Sequence, residues 1–424
     1  MTSNISTPDN NVSSQKPDQV LSLIERSKHY VSSGQYDKAC AVLRQSLLIG
    51  GKEGEIYNQL GYVNYCQRKY DAALDCYEMT REINPDQPSL LINLGLLYLA
   101  MGKRDIAETY FVEAQCNSVT FAEASLNLAK LALADQDYSA GWAYYQFRPN
   151  NHFREVEFPM EFTAKRILVV GCLDYWQALF YTRFLPLLVN TGANVSYVCG
   201  EDLEPLLSRN FKGVEVFSKI DTEKKYDLVY SVIDLPRLLD VKNSSSQSLP
   251  PPMPLMSSRY SETIIRNLLP NNHRENIAVV WDADSQDSEN FRLRISPELL
   301  GESLRYTDAN ILILQKDPRP YDIKLLEKGL RRKVFNYGFV RETLDSTLAF
   351  MSEVDHYVGV GDYVIHLAND VNKNVSVLVS HPPQWHWLLK GEQSPWFSNF
   401  NLYRQDISGS WEEACANLKC ALSG

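Results

Sequence analysis

The sequence predicts an α-helical solenoid followed by a pair of Rossmann-like α/β halves, and three observations carry that fold class. Small and aromatic residues recur at a period of about 34 residues in the first third of the chain, the period of a stacked helix pair. From Arg166 onward the pattern changes to short β-branched runs separated by helix-length intervals, which is the signature of a parallel sheet. Between two such series lies the stretch Asn243 to Pro254, rich in Ser and Pro and without periodicity, which reads as a surface connection.

The 424 residues are long for one core and sufficient for two or three domains. With 44% hydrophobic and 22% charged residues the composition is that of a globular protein. A net charge of −10 disfavours nucleic acid or an anionic membrane as a partner of the whole surface. The eight cysteines form no CxxC pair and no zinc spacing with histidine, so they are expected to be buried reduced thiols. No apolar run approaches the roughly 18 residues of a membrane helix, and the polar first twenty residues lack a signal-peptide core. A cytoplasmic protein is the expectation.

In chain order, residues 1–18 are rich in Ser, Asn, Pro and Gln and read as a disordered tail. Residues 19–150 carry the repeats, with the period of tetratricopeptide repeats. Ala39, Ala73 and Ala107 recur in step, as do Leu43, Tyr77, Phe111 and Tyr145, and Gly61 with Gly95. The small residues let paired helices approach, and the aromatics fill the space between hairpins. Gln59, Asn93 and Asn127 form a further ladder on the first helix of each hairpin. Side-chain amides both donate and accept, so such a column suits the backbone of an extended peptide, although amides are also common on any exposed helix.

The first α/β half spans 160–242, with strands expected at Arg166 to Val170, Val195 to Val198, Val214 to Phe217 and Leu228 to Val232. A linker or loop is expected over 243–275. The second half, 276–424, opens at Ile277 to Trp281, continues through Ile311 to Gln315, and reaches a βαβ unit built from Tyr357 to Val360, a helical patch carrying His366, and Val375 to Val379. Ligands of open α/β sheets bind outside the carboxyl ends of the strands. A helix start beside a histidine suits a diphosphate there, because unpaired N–H groups and the helix dipole favour anions.

The tail QWHWLLKGEQSPWFSNFNLYRQ, the HLA triplet at His366 and the junction DYSAGWAYYQFRPN resemble bacterial proteins in which tetratricopeptide repeats precede a heptosyltransferase-like, GT-B glycosyltransferase domain. The resemblance spans roughly Arg166 to Leu422, and the repeats extend it over nearly the whole ordered chain. It implies a sugar nucleotide donor held on the second half without a metal, a polypeptide acceptor bound by the repeats, and transfer of the sugar to a protein side chain, flagellin or another surface protein being an acceptor by analogy. The implied donor-side residues are Arg294 (or Arg292), Gln315, Lys316, Asp362 and His366, and the implied acceptor ladder is Gln59, Asn93 and Asn127.

The chain departs from the family pattern at both loops that carry chemistry. The family's DTAxAH loop reads GDYVIH, placing Gly361 on its aspartate and Asp362 on its threonine. Aligning Arg183 to Pro186 with the family's RYLP places Gln177 on the aspartate of its Gly-Asp turn, and a glutamine accepts no proton at neutral pH. Asp174 is then the one nearby candidate base. Asp282 and Asp284 form an Asp-x-Asp at a strand end, a pattern that holds divalent metals in GT-A enzymes, but the two-half layout argues against that use. The competing expectation is a catalytically degenerate GT-B protein that acts as a repeat-based adaptor.

Overall fold

The structure, a computed structural model, describes residues 15–152, 161–172, 174–221, 223–239, 249–283 and 293–423. The chain divides into two compact units, Met1–Leu128 and Ala129–Gly424.

The first unit consists of helical hairpins: α1 (Gln15–Ser32) with α2 (Tyr36–Ile49), α3 (Glu53–Cys66) with α4 (Tyr70–Ile83), and α5 (Pro88–Ala100) with α6 (Arg104–Gln115), before α7 (Phe121–Ala134). The chain is helical from Gln15, inside the segment expected to be a tail. Ala39, Ala73 and Ala107 are fully buried. Gly61 and Gly95 lie under the rings of Tyr77 and Phe111, where a Cβ would stand 2.4 Å from a ring carbon in each case. The period therefore encodes a helix contact that admits no side chain at the glycine.

A second feature keeps the same step. Gly34, Arg68 and Gly102 each end the first helix of a hairpin in the left-handed region, at φ 69°, 59° and 71°. The following amide then donates to the carbonyl five residues back, Gln35 to Tyr30 at 2.8 Å, Lys69 to Asn64 at 2.9 Å and Lys103 to Tyr98 at 2.8 Å. This closes otherwise unpaired carbonyls at the helix ends. Gln136 (φ 64°) repeats the turn in the second unit, with Asp137 donating to Ala132 at 2.9 Å.

The second unit takes in the end of α7 and α8 (Tyr138–Tyr145) as well as both α/β halves. Trp142 packs edge-on against Trp385 (5.7 Å) and Tyr181 (6.5 Å), and Tyr138 against Trp396 (5.5 Å). Just beyond α8, Arg148 forms a two-pronged ion pair with the buried Asp234 at 2.6 and 3.2 Å.

Two parallel sheets follow. The first, in the order β3-β2-β1-β4, joins β1 (Arg166–Val170), β2 (Asn194–Val198), β3 (Val214–Phe217) and β4 (Leu228–Ser231). The helix α9 (Tyr175–Thr182) leaves the carboxyl end of β1. The second sheet, in the order β10-β9-β8-β5-β6-β7, is built from β5 (Asn276–Val280), β6 (Asn310–Ile313), β7 (Phe335–Asn336), β8 (His356–Val360), β9 (Asn374–Val379) and β10 (Phe400–Arg404). Its central strands are buried along their whole apolar runs, as expected of a sheet covered on both faces. The chain thus has the expected fold class, helical repeats followed by a GT-B-like pair of Rossmann-like halves.

The segment expected as a loop, 243–275, contains the helix Arg259–Leu268, capped by Ser258 and packed through Ile265; residues 243–248 lie outside the described residues. Asp345 ties this region to both halves, accepting from Arg209 (2.5 Å), the hydroxyls of Ser258 (2.7 Å) and Ser261 (2.6 Å), and the Ser258 amide (3.0 Å). Of the cysteines, Cys66, Cys199 and Cys415 are buried, but Cys116 and Cys420 are exposed. Among the described residues no helix is long and apolar enough to cross a membrane.

Candidate functional site

The carboxyl ends of β1 and β8 face each other, and the helices that leave them meet. Tyr175 at the start of α9 lies edge-on to Tyr363 at 5.5 Å, just before the helix Val364–Asp370. One residue on, Trp176 lies 4.7 Å from the His366 ring and 4.4 Å from the His386 ring. Phe180 packs against His366 (6.0 Å), Trp385 (5.5 Å) and Trp396 (5.2 Å). The seam between the halves is therefore lined with aromatic rings. Arg183, at the end of α9, stacks on Phe180 at 4.4 Å and donates to the Trp396 carbonyl at 3.2 Å.

His366 and His386 are each 1% exposed. Burial holds both imidazoles well below their ordinary titration range, and the Arg183 charge lowers them further. Burial likewise lowers Arg183 to about 10, with Asp370 opposing the shift, and pushes the half-buried Asp370 carboxyl up, with Arg183 holding it back.

The expected donor-side groups occupy distinct places around this seam. Asp362 is buried; one carboxylate oxygen accepts the Val364 amide at 2.9 Å and the other lies 3.0 Å from Arg341, the pair being almost wholly enclosed. The start of that helix, expected to present free N–H groups to a phosphate, thus meets a carboxylate of its own chain. Gln315 is also buried and ties strand ends together, accepting from the amides of Trp281 (3.2 Å) and Asp282 (2.9 Å) and donating to the Asp282 carbonyl (2.9 Å). Arg294 lies 3.1 Å from Asp322 and 3.8 Å from Asp282, and Arg319 shares Asp322 at 2.8 Å. Lys316, beyond the end of β6, is exposed. Arg292 and Asp284 lie outside the described residues, and among those described no group of His, Cys, Asp and Glu could hold a metal.

Asp174, the candidate base, is the cap of α9 and accepts the Gln177 amide at 2.8 Å. In the repeats, Gln59, Asn93 and Asn127 are all half-buried on α3, α5 and α7. Asn93 donates to Asn58 (2.9 Å), which in turn donates to Ser89 (2.7 Å), and Asn127 donates to the Glu123 carbonyl (3.0 Å). Sequence reading missed Trp176, His386 and Arg183 as neighbours of His366, because only the fold brings α9 and the tail to one place. A separate recess of about 440 Å³ lies at the opposite, amino ends of β5 and β6, beside Arg274, Tyr306 and His356.

No protein-family model matches the chain, and no curated protein does. Among solved structures it is similar to a family 9 glycosyl transferase from Veillonella parvula (11% identity, 62% of this chain and 98% of that chain, TM-score 0.47). It is also similar to the ADP-heptose lipopolysaccharide heptosyltransferase II of E. coli (13%, 61% and 100%, TM-score 0.41). A third likeness is to a mutant of the Thermobaculum terrenum O-GlcNAc transferase (12%, 99% and 95%, TM-score 0.32). At these identities and TM-scores the likenesses bear on no individual residue of the site.

Proposed function

We propose that the chain is a repeat-bearing adaptor for a protein partner, built on a GT-B-like frame whose donor site has become part of its structure. The observation that carries this reading is the Asp362–Arg341 pair at the start of the helix Val364–Asp370. The Val364 amide and the Arg341 guanidinium, groups that a sugar nucleotide's diphosphate would need there, are already engaged by the Asp362 carboxylate in an enclosed pair. Arg294, the other expected phosphate ligand, already faces Asp322 and Asp282. The repeats remain as the binding element, with Gln59, Asn93 and Asn127 as candidate contacts to an extended peptide.

A second reading, sugar transfer to a protein acceptor, is favoured by one observation: Lys316 stands exposed at the carboxyl end of β6, where a donor phosphate would lie. His366 would then help frame the donor, and Asp174 would have to release the Gln177 amide to act as base.

Calorimetric titration of the full chain with nucleoside diphosphates and nucleotide sugars separates the two. The adaptor reading expects no saturable binding at millimolar ligand. Selective binding of one nucleotide, weakened by Lys316→Ala, would replace it with the transferase reading.

A further inference from the structure

The seam holds more polar atoms than it satisfies. Among the described residues, Nε2 of His366, both ring nitrogens of His386, and the indole nitrogens of Trp176 and Trp396 are buried without a hydrogen-bond partner. Unpaired buried polar groups favour any state that returns them to water. The two imidazoles lie against Trp176, which comes from the other half. The joint between the halves therefore depends on both rings staying neutral.

We propose that the seam is an acid-opened joint, in which protonation of His366 and His386 separates α9 from the helix Val364–Asp370 and the turn Trp385–Trp387. The proposal does not rest on the adaptor reading.

The charged groups facing the two rings are few. Arg183 at the end of α9 acts on both, His386 acts on His366, and Asp370 at the end of the helix Val364–Asp370 acts on Arg183. The other close neighbours, Trp176, Phe180, Trp385, Trp387 and Phe397, carry no charge. Protons arriving from solvent would thus add two positive charges beside Arg183, with only Asp370, itself pushed by burial toward its protonated form, to answer them.

The direction of the pH effect follows from burial. Closed, both imidazoles titrate far below their ordinary value; open, they return toward it, so opening takes up protons as pH falls below about 6.5. Each histidine then raises the opening constant by up to about tenfold per pH unit, and both together by up to about a hundredfold. Asp370 works the other way while it retains a proton in the closed seam, because opening releases that proton, and it cancels at most one of the two. Below about pH 4 a free carboxyl is also protonated and that offset disappears.

Five of the seven tryptophans, Trp142, Trp176, Trp385, Trp387 and Trp396, lie in this aromatic cluster, so acrylamide quenching of the full chain's fluorescence reads the seam. Quenching should rise between about pH 7.5 and 5, while far-UV circular dichroism stays constant. The variant His366→Phe with His386→Phe keeps both rings but removes the proton sites, and should hold its neutral-pH quenching throughout. If that variant fails to fold, His386→Phe alone should retain about half of the pH slope. The proposal is overturned by pH-independent quenching in the parent chain, by an unchanged rise in the Phe variants, or by loss of far-UV signal in step with the quenching.

Discussion

Gly95 lies beneath the ring of Phe111, so close that a methyl group on Gly95 would stand 2.4 Å from Cε1. Both residues are buried, and the ring has no free side to which it can retreat without parting α5 from α6. Gly95→Ala should therefore lower stability by about 1–3 kcal/mol through overpacking, more than the roughly 1 kcal/mol that alanine gains over glycine inside a helix. Urea denaturation of the full chain, followed at α-helical wavelengths, checks this; an unchanged or higher midpoint for the first transition would contradict it.

Gln136 ends α7 at φ 64°, a conformation that Gly34 and Gly102 adopt without a side chain at the equivalent turns. A non-glycine residue there costs about 1–2 kcal/mol, partly offset because glycine loses more freedom on folding. Gln136→Gly should raise stability by up to about 1 kcal/mol, seen as a small increase in Tm. A lower Tm would mean that the side chain makes a contribution larger than its strain.

Arg341 and Asp362 are enclosed together, with side chains 0% and 1% exposed. Removing one partner of such a pair leaves the other charge buried alone, at a cost of about 3–5 kcal/mol. Asp362→Ala should accordingly destabilise the α/β unit by that amount in denaturant titrations. If it instead folds as well as the parent, the carboxylate is dispensable and the start of that helix is free for an anion.

Asp345 is the hub between Arg209, Ser258 and Ser261, and its acid strength follows from that. Burial alone would push its carboxyl up, but hydrogen bonds from Ser261, Ser258 and Arg209 outweigh burial and hold it below the usual range. A depressed carboxylate contributes stability that is full above its unfolded value, about pH 4, and is lost as pH falls through the lower folded value. Asp345→Asn should thus cost about 1.5–3 kcal/mol at neutral pH, with the gap from the parent closing as the pH is taken below 4. A gap that persists in acid would assign the loss to packing.

The fold was legible because its signals are local. Parallel strands buried on both faces announce themselves as Ile277 to Val280 or Val375 to Val379, and the glycine–aromatic step of the repeats needs no knowledge of the rest of the chain. The short edge strand β7, only Phe335–Asn336, has no such run, and β10 was hidden in a tail recognised for its tryptophans. The site was less legible. That Asp362 would turn inward to Arg341, that Arg294 would face Asp322, or that Trp176 would lie against His366 depends on residues far apart in sequence. Asp174 is a candidate base only as the carboxylate near the aligned Gln177, and its role as a helix cap is a matter of backbone geometry.

The packing of Tyr138 and Trp142 onto Trp396 and Trp385 has a consequence for how such a protein is inherited. Read by motif, the repeats end near Asn150, and a recombination event that exchanged one repeat array for another would cut there. Such a cut would strip two large aromatic rings from the tail of the α/β unit and leave Asp234 without Arg148. A viable exchange must break the chain upstream, within the repeats, and carry α8 along with the sheets. The helix α8 is thus a structural part of the α/β unit rather than of the hairpins that precede it.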